Sequence, residues 1–338
     1  MTKNRMPAEW EPHEATWLAW PKNQESFPRQ ILPKVEKIYI EIMDALHKRE
    51  KVHLLVDDEK TESRVQRMLN EIGVKKNILI HQIKTADVWI RDYGPIFVKD
   101  NNKLKITKWT YNAYGQKYDE LMEDDKVVDR ILPILGKIEV IKPNMILEGG
   151  SIEVNGKGTM LTTEQCLLNK NRNNKLNRKE IEQKLKDNLG LTDIIWLKEG
   201  IAGDDTDGHI DDIARFVDER TVLCIREDNK TNTNYQALKK NWDILLNSKD
   251  QDGEKLEMKE LPMPGTVSGP MGQLPASYAN FYIGNEIVLL PVFEHDNDEK
   301  AILILEECFP KRKIVPIYCE PLVWGMGSIH CITQQQPK

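Results

Sequence analysis

Four segments of the chain place polar side chains among apolar or glycine neighbours, a setting in which ionisable groups can be buried together. They are Asp87–Val98, Leu147–Val154, Asp204–Phe216 and Gly325–Pro337. Together they supply one cysteine, one histidine outside the segment of that cysteine and three well-placed carboxylates, with no phosphate-binding loop. Such a set favours attack by a thiol on a substrate that is held by acids.

Cys331 is the candidate nucleophile in the last of these segments. The run Ile329–Ile332 predicts a short buried strand, in which neighbouring side chains point to opposite faces, so His330 is not expected to act as the base for Cys331. Taken alone, a buried cysteine is more often a small hydrophobe than a nucleophile. To act as a nucleophile, Cys331 would need a histidine from a distant part of the chain as its base. His209 is the best placed of the seven histidines.

His209 and Asp211 lie where the chain enters the run Ile210–Phe216, which predicts a strand leading into the core. On a strand these two side chains face the same side. A histidine beside a carboxylate is a candidate general base with an acidic companion. The local alternative is a capped turn that leaves the histidine in solvent.

The string Asp205–Gly208 invites comparison with a calcium-binding loop. That loop needs an acid at its first position and a glutamate at its twelfth, where this chain has Gly203 and Ala214. A zinc or iron site around His209 would want another histidine or cysteine at ligand spacing. The sequence therefore predicts neither a metal nor a cofactor.

Two further carboxylates have neighbours that favour burial. Glu148 follows the apolar run Met145–Leu147 and precedes two glycines, where the backbone bends easily; the alternative is a turn residue in solvent. Asp92 is close in sequence to Trp89, and a carboxylate beside an aromatic wall suits a planar cation. The alternative for Asp92 is a local pair with Arg91 or with a turn amide.

A guanidinium group fits this set better than an ordinary amide does. An amide would need an oxyanion hole and no cluster of acids. Guanidinium is planar and stays protonated to above about pH 12, and two carboxylates can grip it with its carbon facing a thiolate. Its positive charge would also lower the pKa of the Cys331 thiol.

The elements that must position these residues follow from hydrophobic spacing. Helical spacing predicts six helices, at Gln30–Lys48, Lys60–Ile72, Asp119–Leu135, Arg178–Leu189, Tyr235–Leu246 and Asp298–Phe309. Short apolar runs predict strands at Val52–Val56, Ile78–Ile83, Pro95–Val98, Leu104–Trp109, Ile152–Val154, Thr159–Thr163, Ile213–Val217, Val222–Ile225, Glu286–Pro291 and Lys313–Ile317. Three strand pairs read as hairpins, which turn at Lys99–Lys103, Asn155–Gly158 and Asp218–Thr221.

Hairpins mixed with crossover helices predict an α/β fold with mixed sheets. A strand–strand–helix–strand unit of about 60–70 residues fits about five times. Two segments break the pattern. Asn169–Asn177 predicts a solvated loop, and Leu261–Ser277 is too long for an ordinary connection, which leaves a surface excursion or an active-site flap.

The composition limits the remaining classes of protein. The chain has 338 residues, with 48 Lys and Arg against 54 Asp and Glu and a formal net charge of −6, the opposite of the balance expected for nucleic-acid binding. No stretch approaches the ~18 apolar residues that cross a bilayer. The N-terminus lacks the apolar core of a signal peptide, so we expect a cytoplasmic protein without membrane or nucleic-acid partners. The five cysteines include no CxxC pair, which argues against a disulfide framework.

No shift in composition marks a domain boundary, so one domain over residues 1–338 is expected. The sequence leaves open whether the chain forms a homo-oligomer.

The chemical segments of the chain resemble the agmatine deiminase / bacterial peptidylarginine deiminase family of guanidine-modifying enzymes. Seven stretches fall in the family's order: MPAEWEPHEATWLAWP (Met6–Pro21), WIRDYGP (Trp89–Pro95), LEGGSIEVNG (Leu147–Gly156), LLNKNRN (Leu167–Asn173), DDTDGHIDDIARF (Asp204–Phe216), ASYANFYI (Ala276–Ile283) and IHCITQQQP (Ile329–Pro337). The resemblance implies a five-bladed α/β propeller with pseudo-fivefold symmetry and a central active site.

The resemblance also implies catalytic roles. Cys331 would be the nucleophile and would form a covalent amidino-cysteine intermediate. His209 would protonate the departing ammonia and then activate water. Glu148 would orient His209.

Other residues would bind the substrate. Asp92 and Asp211 would hold the guanidinium nitrogens, and Trp89 would lie along the substrate's chain. Asp205 or Asp207 would meet a distal amine. The implied reaction is the hydrolysis of agmatine, a small dication, to N-carbamoylputrescine and ammonia in polyamine metabolism.

Two other functions stay open at this point. An arginine or peptidylarginine deiminase would use the same catalytic set but would want a cation for a substrate carboxylate, such as Arg91, Arg172 or Arg215. A non-catalytic guanidine-binding protein belongs to another class. It is disfavoured because each proposed catalytic position holds a chemically competent residue.

Overall fold

The computed structural model describes residues 4–269 and 272–338. Its α-helices are α1 Leu32–Leu46, α2 Glu59–Glu71, α3 Ile90–Tyr93, α4 Ala113–Gln116, α5 Val127–Leu135, α6 Glu164–Leu167, α7 Arg178–Leu189, α8 Tyr235–Leu246, α9 Asn297–Cys308 and α10 Glu320–Val323. Short 3-10 helices cover Asp119–Lys126, Gly149–Ser151 and Ile210–Asp212. None of the described helices is long and apolar enough to cross a membrane.

The strands are mostly three to seven residues long. They are β1 Asn4–Arg5, β2 His13–Ala19, β3 Lys51–Val56, β4 Ile78–Gln82, β5 Ile96–Asp100, β6 Lys103–Thr107, β7 Glu139–Ile141, β8 Glu153–Val154, β9 Thr159–Thr163, β10 Asp193–Leu197, β11 Ala214–Phe216, β12 Thr221–Arg226, β13 Glu257–Pro262, β14 Ser268–Gly269, β15 Gly272–Gln273, β16 Tyr282–Gly284, β17 Ile287–Val292, β18 Lys313–Tyr318 and β19 Gln334–Pro337.

Within the described ranges, the strands form five sheets of three or four strands and one short pair, β14–β15. Each of the five sheets joins an antiparallel pair to a parallel neighbour: β11 is antiparallel to β12, for example, and β12 is parallel to β13. A helix connects the parallel strands, as α8 does between β12 and β13. The three predicted hairpins are confirmed as β5–β6, β8–β9 and β11–β12. The predicted mixed sheets are therefore confirmed.

Local sequence explains the best-predicted elements. Helix α7 has the predicted bounds because Asn177 and Glu180 form a reciprocal capping box at its start and Gly190 takes a left-handed conformation at its end. In the β8–β9 turn, the side chain of Asn155 accepts hydrogen bonds from the backbone of Lys157, Gly158 and Thr159. A single asparagine therefore fixes this hairpin.

Three predicted elements differ in the structure. The single helix predicted over Asp119–Leu135 divides into a 3-10 helix and α5, because the carboxylate of Asp124 accepts hydrogen bonds from the backbone of Ala86 and Asp87 and ties the first half to another loop. The strand predicted over Ile210–Phe216 begins with a 3-10 turn and is extended only in β11.

The strand predicted at Ile329–Ile332 is a turn, and extended structure begins at Gln334. The side chain of Asn280 explains the difference, because its Oδ1 accepts a hydrogen bond from the backbone nitrogen of His330 at 2.9 Å. The same nitrogen also donates to the Asn280 backbone carbonyl at 3.1 Å, so Asn280 holds it from outside any strand.

Candidate active site

A cavity of about 160 Å³ opens between the predicted chemical segments. Its lining includes Trp89, Asp92, Asp205 and Cys331, together with acids that the sequence did not single out, such as Glu120. Trp89 is held by the loop before Cys331: a Cβ on Gly327 would lie 2.4 Å from the Trp89 ring, so only glycine lets the loop pack so closely.

Cys331 is buried at the base of this cavity, with 7% of its surface exposed. Asn280 Nδ2 donates a hydrogen bond to its sulfur at 3.2 Å, and Asp211 Oδ2 lies 3.7 Å from the same atom. Burial, followed by the nearby charges of Asp211, Asp212 and Asp92, raises the pKa of Cys331 well above its usual value. The free protein therefore holds this residue as a thiol.

Gly150 brings three ionisable side chains together. A Cβ at this position would lie 2.6 Å from His209 Nδ1, 2.8 Å from Asp92 Oδ1 and 3.1 Å from Asp211 Oδ2. The Gly150 backbone nitrogen also donates to Asp92 Oδ1 at 2.9 Å, and Tyr114 donates to Asp92 Oδ2 at 2.8 Å. Because Asp211 contacts the Cys331 sulfur as well, the predicted imidazole, acids and thiol share one centre.

The protonation of His209 and Asp92 reflects their mutual contact, with Nδ1 and Oδ1 3.7 Å apart. Burial would lower the pKa of His209, but Asp92, the Cys166 thiol and Asp211 outweigh it and hold that pKa well above the usual value. Burial raises the pKa of Asp92 to about 6. His209 is therefore an imidazolium in the free protein and can donate a proton.

Several buried atoms in this centre lack hydrogen-bond partners among the described residues. They are Asp211 Oδ1, Glu148 Oε2 and both ring nitrogens of His209. Unsatisfied buried polar atoms are costly and rare, and a cluster of them marks a place where a polar ligand can bind.

Glu148 is fully buried, and its Oε1 accepts a hydrogen bond from Arg172 Nε at 2.7 Å. Arg172 also pairs with Asp207 at 2.7 Å. The prediction that Asn169–Asn177 is only a solvated loop is therefore wrong at Arg172, which is 4% exposed. An arginine in a polar loop can be buried once two carboxylates neutralise it.

The two acids predicted to meet a distal amine differ in their surroundings. Asp205 lines the cavity, accepts a hydrogen bond from the Tyr118 hydroxyl, and has its pKa raised to about 6 by burial. Asp207 does not line the cavity and instead bonds Lys117, Asn171 and Arg172. This geometry argues against a substrate contact for Asp207.

Cys166 is a member of this centre that sequence reasoning missed. Ligand atoms of Glu148, Cys166 and His209 lie within 4.8 Å of one another, a spacing that a metal ion could bridge. Arg172 already places a positive charge on Glu148, which disfavours a second cation there. Asn280 and Tyr114 were missed too, although Asn280 lies in the ASYANFYI stretch.

A buried thiol, an imidazolium and acids with unpartnered oxygens lie together, with Cys331 and Asp92 on the lining of the cavity. They define the class of cysteine-containing centres suited to a planar cation. A model of the Porphyromonas-type peptidyl-arginine deiminase family matches residues 5–337. The chain belongs to this family.

Agmatine deiminases from other organisms align with almost the whole chain. It is 36% identical to an agmatine deiminase of Pseudomonas aeruginosa, over 98% of this chain and 95% of the relative. Among solved structures it is similar to the agmatine deiminase of Enterococcus faecalis, with a TM-score of 0.91, 32% identity and coverage of 99% and 96%. A cysteine-to-serine variant of C. jejuni agmatine deiminase with substrate bound gives a TM-score of 0.89 at 32% identity, with the same coverage.

A more distant structure supports the fold alone. DDAH from Pseudomonas aeruginosa is 12% identical and superposes with a TM-score of 0.54, over 96% of this chain and 99% of that one. The α/β fold of this chain therefore matches those of agmatine deiminases and of DDAH.

Proposed function

We propose that this protein is an agmatine deiminase, which hydrolyses agmatine to N-carbamoylputrescine and ammonia. The observation that carries the proposal is the charge of the cavity. Within the described part of the chain, its lining includes Glu25, Asp92, Glu120 and Asp205 but no lysine or arginine. Such a lining suits a small dication.

The first half-reaction begins when Asp92 and Asp211 hold the guanidinium with its carbon facing Cys331. The cation offsets the acids that keep the thiol protonated, so Cys331 releases its proton to solvent as substrate binds. The sulfur attacks the guanidinium carbon, and the tetrahedral adduct expels ammonia, which takes its proton from His209. The product is an amidino-cysteine, a carbon joined to sulfur and two nitrogens.

The second half-reaction consumes water. His209, now neutral, removes a proton from a water molecule that attacks the same carbon. The carbon–sulfur bond breaks, the hydroxyl proton of the adduct passes to the departing Cys331 sulfur, and N-carbamoylputrescine leaves while His209 retains the first proton. Glu148 lies beside His209 and orients it in this scheme.

The proposal extends to the architecture and the setting of the enzyme. The five similar sheets are the blades of an α/β propeller with pseudo-fivefold symmetry, in one catalytic domain over residues 1–338. The five cysteines are free, which supports a reducing cytoplasmic setting for putrescine formation.

The second candidate is an arginine or peptidylarginine deiminase. It is worth testing because the family that matches the chain is named for peptidyl-arginine deiminase. Its substrate carboxylate would need a cation. The three arginines that could serve are engaged elsewhere: Arg91 pairs with Glu9, Arg172 with Glu148, and Arg215 with Glu9 and Glu153. None of the three lines the cavity.

One assay separates these functions. Ammonia release is measured with agmatine, free arginine and an arginyl peptide at equal concentrations, with the Cys331→Ser variant as the inactive control. We expect turnover of agmatine above the other two. Preferred turnover of arginine or the peptide would replace the proposal with its rival, and binding of agmatine without ammonia release would favour a non-catalytic binding protein.

A further inference from the structure

Glu9 lies in the Met6–Pro21 stretch, which the proposed mechanism does not use. Its carboxylate is buried, with 5% of the residue exposed. Oε1 accepts hydrogen bonds from Arg215 Nη2 at 2.9 Å and from the Ile283 backbone at 2.8 Å. Oε2 accepts from His330 Nε2 at 2.8 Å and from Arg91 Nη2 at 3.2 Å.

Two of these partners are the chain neighbours of site residues. Arg91 precedes Asp92, and His330 precedes Cys331. The two segments are also joined directly, because the Arg91 backbone nitrogen donates to the Cys331 carbonyl at 3.2 Å. One carboxylate near the N-terminus therefore ties together segments that carry the thiol and an acid of the site.

His330 connects Glu9 to a second acid of the site. Its Nε2 lies 2.8 Å from Glu9 Oε2, and its Nδ1 lies 2.7 Å from Asp211 Oδ2. A charged carboxylate only accepts hydrogen bonds, so the ring can donate to both carboxylates at once only in its cationic form. The surrounding charges balance, since three cations meet three carboxylates: His330, Arg91 and Arg215 against Glu9, Asp211 and Glu153.

The connection leaves one oxygen of Asp211 available. Oδ2 is held by His330, whereas Oδ1 has no partner among the described residues. Burial would raise the pKa of Asp211, but the hydrogen bond and charge of His330 outweigh it and hold that pKa below the usual value. Burial is likewise outweighed at Glu9, where Arg215, His330 and Arg91 keep the pKa well below the usual value.

We propose that Glu9 is a positioning residue that acts through His330 to keep Asp211 charged, with its free oxygen aimed at the substrate guanidinium. The substrate named here rests on the proposed function, whereas the Glu9–His330–Asp211 connection does not. The charged or titratable groups that face His330 and Asp211 are Glu9, Arg91, Asp92, Glu153, His209, Asp212, Arg215 and Cys331.

The first test replaces Glu9 by its uncharged isostere. In Glu9→Gln, His330 loses one of its two carboxylate partners. The hydrogen bond and positive charge by which His330 keeps Asp211 ionised are therefore weakened. We expect kcat/KM for agmatine to fall about 10- to 100-fold. Asp92 already lowers kcat/KM below about pH 6. The acid limb that reports Asp211 is a second fall at lower pH, and it should move to higher pH by about one unit because protonated Asp211 cannot pair with the cation.

Glu153→Gln is the matched control. It removes a buried carboxylate that bonds Arg215 in the same charge cluster but has no bond to His330. Its acid limb should stay at the parent position, even where stability falls. An unmoved limb in Glu9→Gln, or an equal shift in Glu153→Gln, would overturn the proposal.

The second test requires neither a folded Glu9 variant nor catalytic turnover. In the full chain with ¹⁵N-labelled histidine, NMR at the pH of the activity assay should show hydrogen on both ring nitrogens of His330. His330→Gln assigns the signal. A neutral His330 ring would refute the connection itself, whereas a protonated ring in a protein that releases no ammonia from agmatine would refute only the proposed function.

Discussion

Gly150→Ala tests whether the proposed centre works by close packing. The added Cβ would lie 2.6 Å from His209 Nδ1. An ordinary van der Waals contact is about 3.4 Å, so this nitrogen must retreat by about 0.8 Å, and Asp92 and Asp211 must retreat by smaller amounts. Because a misplacement of about 1 Å can cost about 10²-fold in rate, we expect kcat/KM for agmatine to fall by about 10²-fold.

The fold should survive this substitution. Overpacking a buried site by one methyl group costs about 1–3 kcal/mol, which lowers the thermal midpoint but leaves a cooperative transition. Steady-state ammonia release gives kcat/KM, and thermal unfolding gives the change in stability. A kcat/KM within about threefold of the parent value would show that these side chains tolerate displacement and would refute the reasoning.

Gly284→Ala is the control for Gly150→Ala. Its Cβ would lie 3.1 Å from Leu46 Cδ2 and 3.3 Å from Ile287 Cγ1, so it also crowds the core but contacts none of the proposed site residues. Stability should fall while kcat/KM stays at the parent value.

Four further outcomes are expected. Cys331→Ser should abolish ammonia release while circular dichroism shows an unchanged fold; turnover in this variant would remove Cys331 as the nucleophile. Asp92→Asn should lower kcat/KM, because a charge-assisted pair worth about 1.5–3 kcal/mol is lost. The parent's kcat/KM should fall as pH drops through about 6, where Asp92 becomes protonated, and this limb should be altered in the variant; unchanged kinetics would place Asp92 outside the mechanism. Asp205→Asn should raise KM for agmatine more than for arginine, and an equal change for both would remove it from contact with the distal amine. Prolonged treatment with EDTA should leave activity unchanged, whereas a loss restored by a divalent metal would revive a metal-dependent mechanism.

Features encoded in local sequence could be predicted. Arg178–Leu189 is a helix with the predicted bounds because its capping residues and its apolar spacing lie within one short stretch. The hairpins followed from turn residues, and the mixed sheets followed from the hairpins. The structure also brings Cys331, His209, Asp92, Asp211 and Glu148 into one region, although their roles stay predictions.

Features that depend on distant partners could not be predicted. Ile329–Ile332 has the composition of a strand, but an asparagine about 50 positions earlier caps its backbone. Arg172 lies in a polar loop whose composition predicts exposure, and only the folded chain supplies the carboxylates that bury it. The long predicted connection Leu261–Ser277 contains the antiparallel pair β14–β15, and residues 270 and 271 lie outside the described residues. Its role as a flap stays a prediction.

The charges of the free site explain why the proposed substrate can start its own reaction. Cys331 is held as a thiol by burial and by neighbouring acids, while His209 is held as an imidazolium by a partly overlapping set of acids. A guanidinium bound by Asp92 and Asp211 partly neutralises these acids, which favours the thiolate. A neutral molecule of the same shape would leave the thiol protonated. In the proposed mechanism the acids therefore select the substrate by charge and also make the nucleophile depend on that charge, which limits the reactivity of Cys331 when no cation is bound.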